Sequence, residues 1–153
     1  MRTSILAAAI LAVIAASARP AEVTVTQIKA SGSGGKPVID SRLSDIRDKL
    51  EKQFKFARYD LLARDTDTIA TGDTSTLQLK TGDYLDMTID AEEADSAGNV
   101  RHTMSVEVYR KTQRGRESIS KLTVKNPSGG TFLIVLPVSK EIDGTPIIAI
   151  RTK

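Results

Sequence analysis

The chain has 153 residues, no cysteine, no tryptophan, one histidine and a formal net charge of +3. Without thiols there is no disulfide framework and no thiolate chemistry, so the fold must rest on core burial. Although the sequence pI is near 9.2, lysines and arginines are interspersed with acids, which argues against the concentrated basic face of a nucleic-acid binder.

The first 18 residues read as an export signal. Arg2 is a basic n-region, Ile5 to Ala16 an apolar stretch, and Ala16-Ser17-Ala18 a small-x-small cleavage site. Removing these 18 residues leaves 135 starting at Arg19, and loss of Arg2 takes the charge from +3 to +2. That length suits one domain that buries roughly two thirds of its unfolded surface. The apolar run is too short to span a bilayer with margin and no second one follows, so no membrane span is expected. The expected location is the periplasm or the extracellular space.

Glu22 to Lys29 alternates Val23 and Val25 with polar residues and reads as an opening strand. Ser31-Gly32-Ser33-Gly34-Gly35-Lys36-Pro37 is a flexible connector. It lacks the residue order and the strand–helix context of a phosphate loop. A helix is predicted from about Ser41 to Phe54, capped by Asp40 or Ser41, with Leu43, Ile46, Leu50 and Phe54 in one stripe. Asp45–Lys49, Asp48–Lys52 and Glu51–Lys55 would form acid-first pairs one turn apart. A strand over Phe56 to Thr71 should bend at Asp65-Thr66-Asp67-Thr68.

The clearest pattern runs from Thr74 to Lys111. Leu77 and Leu79, then Leu85, Met87 and Ile89, then Met104, Val106 and Val108 alternate with polar residues. This is the mark of antiparallel strands with one buried face. Leu77 and Leu85 can share a face only across a three-residue loop or a bulge at Thr81-Gly82-Asp83. For the next hairpin two registers keep the faces matched. One sets Asp90 opposite Arg101. The other pairs Tyr84 with Tyr109 but forces Asp86 against Glu107, so the first is expected on charge grounds. Between Glu117 and Lys125, Ile119 is out of phase with Leu122 and Val124, which suggests a bulge. Phe132 to Leu136 and Ile147 to Ile150 are continuously apolar, as in strands covered on both faces. The expected fold is α+β and mainly β: an antiparallel sandwich or half-barrel of about seven to eight strands, with one amphipathic helix packed on it.

Chemical signals are sparse. His102, in phase with Met104 and Val106 near a strand start, reads as a rim or core residue rather than a catalytic base. One histidine and no cysteine make a zinc site improbable. Asp90, Glu92, Glu93 and Asp95 crowd one hairpin tip, where an oxygen-rich loop could hold calcium, although the spacing matches no EF-hand. No other cofactor is expected. Few aromatics argue against a sugar-cleaving cleft. Arg110, Lys111, Arg114 and Arg116 make the opposite tip basic, either as ordinary protection of a sheet edge or as a contact for an acidic partner.

From about Ser41 onward the chain resembles a family of small exported bacterial proteins of uncharacterised function. The likeness lies in the charged helix running into LEKQFKFARYDLL, the hairpin TLQLKTGDYLDMTI, and the closing pair GGTFLIVLP and TPIIAIRT. That family implies no activity. The Gly-Gly-Thr-apolar run is also similar to a hairpin of secretin-type channels, which implies an envelope-complex setting. The order strand–helix–meander resembles cystatin-like inhibitors, but their Gln-x-Val-x-Gly loop is missing. The expectation is therefore a non-catalytic, periplasmic or secreted protein-interaction domain, accessory to a cell-envelope assembly, meeting a protein partner or a second copy. A secreted inhibitor or ligand-binding module using its loops is the alternative, and a hydrolase comes last.

Overall fold

The computed structural model describes residues 19–153, so the export signal expected at 1–18 lies outside the described residues. Nine strands form two sheets. The first has the order β2 (Val38–Ile39), β3 (Arg58–Ile69), β1 (Ala21–Ser31), β9 (Thr145–Thr152), β8 (Thr131–Val135). The second runs β4 (Thr74–Gln78), β5 (Tyr84–Ala94), β6 (Val100–Thr112), β7 (Gly115–Pro127). Every strand pairing is antiparallel except that of β2 with β3. The protein is a mainly β, α+β sandwich with one helical segment on its first sheet. Among the described residues no helix is long and apolar enough to cross a membrane.

Two cores follow from the strand patterns. Val23 and Val25 of β1, Ile148 and Ile150 of β9, and Ile134 of β8 meet Leu85, Met87, Ile89, Met104, Val106 and Val108 between the sheets. On the other face of the first sheet, Ile28, Ala30, Tyr59, Ile147 and Ala149 meet Leu43, Ile46 and Leu50 of the helical segment. Successive side chains of β9 therefore enter different cores, which is why its run is apolar throughout. β8 also touches both cores, through Ile134 and Leu133, but it is an edge strand, and its Val135 remains 48% exposed.

The helical segment departs from the expected single α-helix. It is a 3-10 helix over Ser41–Ile46 followed by α1 (Arg47–Gln53). Asp40 caps it, its carboxylate accepting from the Arg42 amide at 3.0 Å. The same carboxylate takes the Arg42 guanidinium, and these bonds hold it well below the usual carboxylate range. None of the three expected acid-first pairs forms. Asp45 instead accepts from Arg64 of β3 at 3.0 Å, Glu51 pairs with Arg47, and Lys49 donates to the Thr131 carbonyl. For Asp45 and Lys49 tertiary partners replace the neighbour along the helix, whose pairing is worth only a few tenths of a kcal/mol, while Glu51 takes the helix neighbour on its other side.

The bend expected at Asp65–Thr68 lies elsewhere. The register between β1 and β3 shifts between Gln27 and Ile28, which leaves Leu62 without an opposite residue. β3 then continues straight through Asp65–Thr68. Those acids are tolerated because β2 pairs only with Arg58 and Tyr59, so this half of β3 is an exposed edge. Ile119 is the extra residue in β7, where the register shifts opposite Val108 and Tyr109, and it turns toward the inter-sheet core. Leu77 faces Leu85, and the Leu79 amide donates to the Asp83 carbonyl across the three-residue loop Lys80-Thr81-Gly82. Gly82 has a φ of +85°, the left-handed conformation such a loop requires.

The β5–β6 register is the one rejected on charge grounds. Tyr84 faces Tyr109 and Asp86 faces Glu107, while Asp90 is a bulge residue with no partner and not the neighbour of Arg101. A third strand resolves the conflict: Arg116 of β7 pairs with Asp86 at 2.9 Å and also with Glu107. The like charges thus share one cation, and the tyrosine rings stack at 5.5 Å. A cross-strand rule applied to two strands cannot see that cation.

Candidate functional site

The β6–β7 hairpin turns tightly at Gln113-Arg114, with Thr112 opposite Gly115. The glycine φ of +122° favours a residue without Cβ at this corner. Alternation then sends the four basic residues to different places. Arg110 projects on the core side of β6 and reaches the buried Asp83 with Nε at 2.8 Å and a second nitrogen at 3.3 Å. The hydrogen bond and the charge of Asp83 raise its pKa. Lys111, on the outer face, lies 4.1 Å above the Tyr84 ring. Arg116 covers the Tyr109 ring at 3.6 Å while holding Asp86 and Glu107. Burial works against its charge, but the hydrogen bonds to Glu107 and Asp86 outweigh it and raise its pKa. Arg114 is exposed at the turn and has no ion-pair or hydrogen-bond partner among the described residues.

The basic cluster thus divides by role. Arg110 and Arg116 are structural clasps, and Lys111 and Arg114 are the charges left facing outward. Beneath them is a tyrosine pair on the outer face of the second sheet, Tyr84 half-buried and Tyr109 buried. Cations above tyrosine faces are held by the ring quadrupole, which keeps long flexible side chains in place. Tyrosine and arginine are also residue types enriched at the centres of protein interfaces. Charge pairing between two strands alone argues against the Tyr84–Tyr109 register that forms. The signal that would have restored it is the Arg-Gly-Arg of the turn, which supplies the neutralising cation.

The acidic tip is built differently. Asp90 accepts a hydrogen bond from Ser105. Glu92 lies opposite His102, its carboxylate 3.8 Å from Nδ1, and Glu93 is 3.5 Å from Lys125. Asp95 ties up the turn by accepting from the Asn99 side chain and from the amides of Asn99 and Ala97, each at 2.9 Å, and these bonds lower its pKa. The four carboxylates are thereby directed to four separate tasks. Among the described residues no three histidine, aspartate or glutamate side chains converge as a metal-binding group. His102 is 3% exposed, and neither ring nitrogen has a hydrogen-bond partner. It packs at the end of the sandwich, and no hydroxyl or second base is bonded to it.

No protein-family model matches this chain, and no curated protein or solved structure shows significant similarity to it.

Proposed function

We propose that this protein is a non-catalytic interaction domain that docks through the β6–β7 tip onto an acidic surface of a cell-envelope partner or of a second copy. The observation that carries the reading is Lys111 and Arg114 facing outward at the tip with no carboxylate partner among the described residues, beside the half-buried Tyr84, whose stacked neighbour Tyr109 is buried beneath Arg116. The partly exposed Tyr84 ring, held rigid by its stacked neighbour, supplies contact area at low conformational cost, and the outward cations steer an acidic partner toward it. The export signal and the resemblance to small exported proteins support an envelope setting in the periplasm or outside the cell.

The test is association measured at low and at high salt, by sedimentation of the purified chain and by binding to envelope extract. Lys111→Glu with Arg114→Glu should abolish the association without changing the thermal unfolding temperature, and added salt should mimic the substitution. Association that ignores both the reversal and the salt contradicts the reading. Arg116 is left intact in this test, because reversing it would place a third acid beside Asp86 and Glu107.

A further inference from the structure

The helical segment covers only half of the outer face of the first sheet. Beyond Ile46 and Ala149 the cover ends, and the face opens into a groove of about 270 Å³ between the 3-10 helix and the strands β3, β1, β9 and β8. Three cations stand in it with two acids. Arg64 is committed, donating to Asp45 and to the Arg42 carbonyl at 3.0 Å and to the Thr26 hydroxyl at 3.1 Å. Lys153 lies 3.6 Å from Glu22. Arg151 is the cation left over. Its Nε is buried without a partner in the protein, and no carboxylate pairs with its guanidinium among the described residues. Its cross-strand neighbours are the neutral Thr24 of β1 and Thr131 of β8.

An N–H that loses water without gaining an acceptor is costly, so the buried, unpaired Nε–H of the otherwise partly exposed Arg151 marks a place in the groove for an acceptor from outside. We propose that this groove binds a small aliphatic carboxylate, gripped by Arg151. The planar guanidinium fork matches the two oxygens of a carboxylate. Among the lining side chains, with Arg64 and Lys153 neutralised, one positive charge remains, and a dianion would add surplus negative charge beside Glu22 and Asp45. The hydroxyls of Thr24 and Thr66 are hydrogen-bonded to each other at 3.1 Å, which leaves one of the two O–H groups as a neutral donor, and Ile46 and Ala149 supply a short apolar wall. The volume is below that of sites for drug-sized molecules, which limits the hydrocarbon part to a few carbons. This site lies on the other sheet from the tyrosine platform, so it stands or falls independently of the docking proposal.

The experiment is a titration of the ¹⁵N-labelled full chain, following the Arg151 Nε–H signal and the Thr24 and Thr131 amides. Sodium propionate is compared with sodium chloride and with sodium phosphate at equal ionic strength. The proposal expects saturable shifts with propionate, only linear drift with chloride, and weaker binding of phosphate. Arg151→Gln should abolish saturation, and Arg151→Lys, which keeps the charge but loses the fork, should weaken it by about tenfold. Propionate shifts that stay linear, that match those of chloride, or that survive Arg151→Gln overturn the site. Saturation by phosphate but not by propionate overturns the ligand class. Because the wild-type titration is decisive alone, a variant that fails to fold does not rescue the proposal.

Discussion

The two sheets share one core but meet solvent in different ways. The first is sandwiched between the inter-sheet core and the helical segment, and its central strands β1 and β9 place apolar residues on both faces. The second is covered on one face only, and its other face is a lattice of short polar contacts. Thr74 bonds Thr88 at 2.6 Å, Thr76 bonds Asp86 at 2.7 Å, and Arg116 spans β5 and β6. Stability is thus concentrated around the first sheet, while the second sheet keeps a face available for contact. Burial of a Leu or Ile side chain is worth more than an exposed polar pair, so both faces of the first sheet but only one face of the second should be sensitive to substitution.

The largest expected effect sharpens that contrast on adjacent residues of β9. Ile147→Ala opens a cavity in the helix core and Ile148→Ala one in the inter-sheet core. Each should lower unfolding stability by about 2–5 kcal/mol in denaturant titrations. On the second sheet only one face should be sensitive: Thr88→Ala, on the open face, should change stability by about 0.5 kcal/mol or less. If Ile147→Ala is as mild as Thr88→Ala, the first sheet is not doubly covered.

A smaller effect is expected where the open face must hold its own charges. Arg116→Gln leaves Asp86 and Glu107 opposed, so the unfolding midpoint should fall by more than that of Thr88→Ala and less than that of Ile148→Ala. Adding Asp86→Asn should recover most of the loss. A double variant no better than the single one would mean that the Arg116 contact with Tyr109, and not charge neutralisation, sets the register.

The mildest effect concerns acid. Asp40, held low by the Arg42 side chain, Asp67, by the Ser75 hydroxyl, and Asp95, by the Asn99 side chain, all have pKa values below the usual carboxylate range. A depressed folded pKa contributes stability above the unfolded value of about 4, and the contribution is lost as pH falls through the folded value. Melting temperatures should therefore be level near neutrality and decline below about pH 4. Asp95→Asn should make the decline shallower.

Much of this architecture is legible in the chain because it depends on single strands. Alternation at Leu85, Met87 and Ile89 shows the buried face, the odd phase of Ile119 locates a bulge, and the parity of Leu77 and Leu85 demands the three-residue loop. What escapes sequence reading involves three or more partners at once. The Tyr84–Tyr109 register depends on Arg116 from a third strand, and the register shift at Leu62 depends on β3 changing which of its alternate residues face each core while β1 keeps its alternation. The groove gathers Thr24, Asp45, Arg64 and Arg151 from four distant segments, none of which carries a local motif. The basic tip was visible as a cluster, but its division into clasps and free charges needed the alternation of β6 and the position of Asp83.

The docking proposal is tested most directly by site-specific photo-crosslinking in exporting cells, comparing the two hairpin tips. A benzoylphenylalanine at position 113, in the β6–β7 turn, should give a discrete adduct that disappears with Lys111→Glu. The same probe at position 97, on the acidic tip, should give none in complexes with an envelope partner. An adduct from position 97 alone, or from neither position, would contradict an interaction surface at the β6–β7 tip.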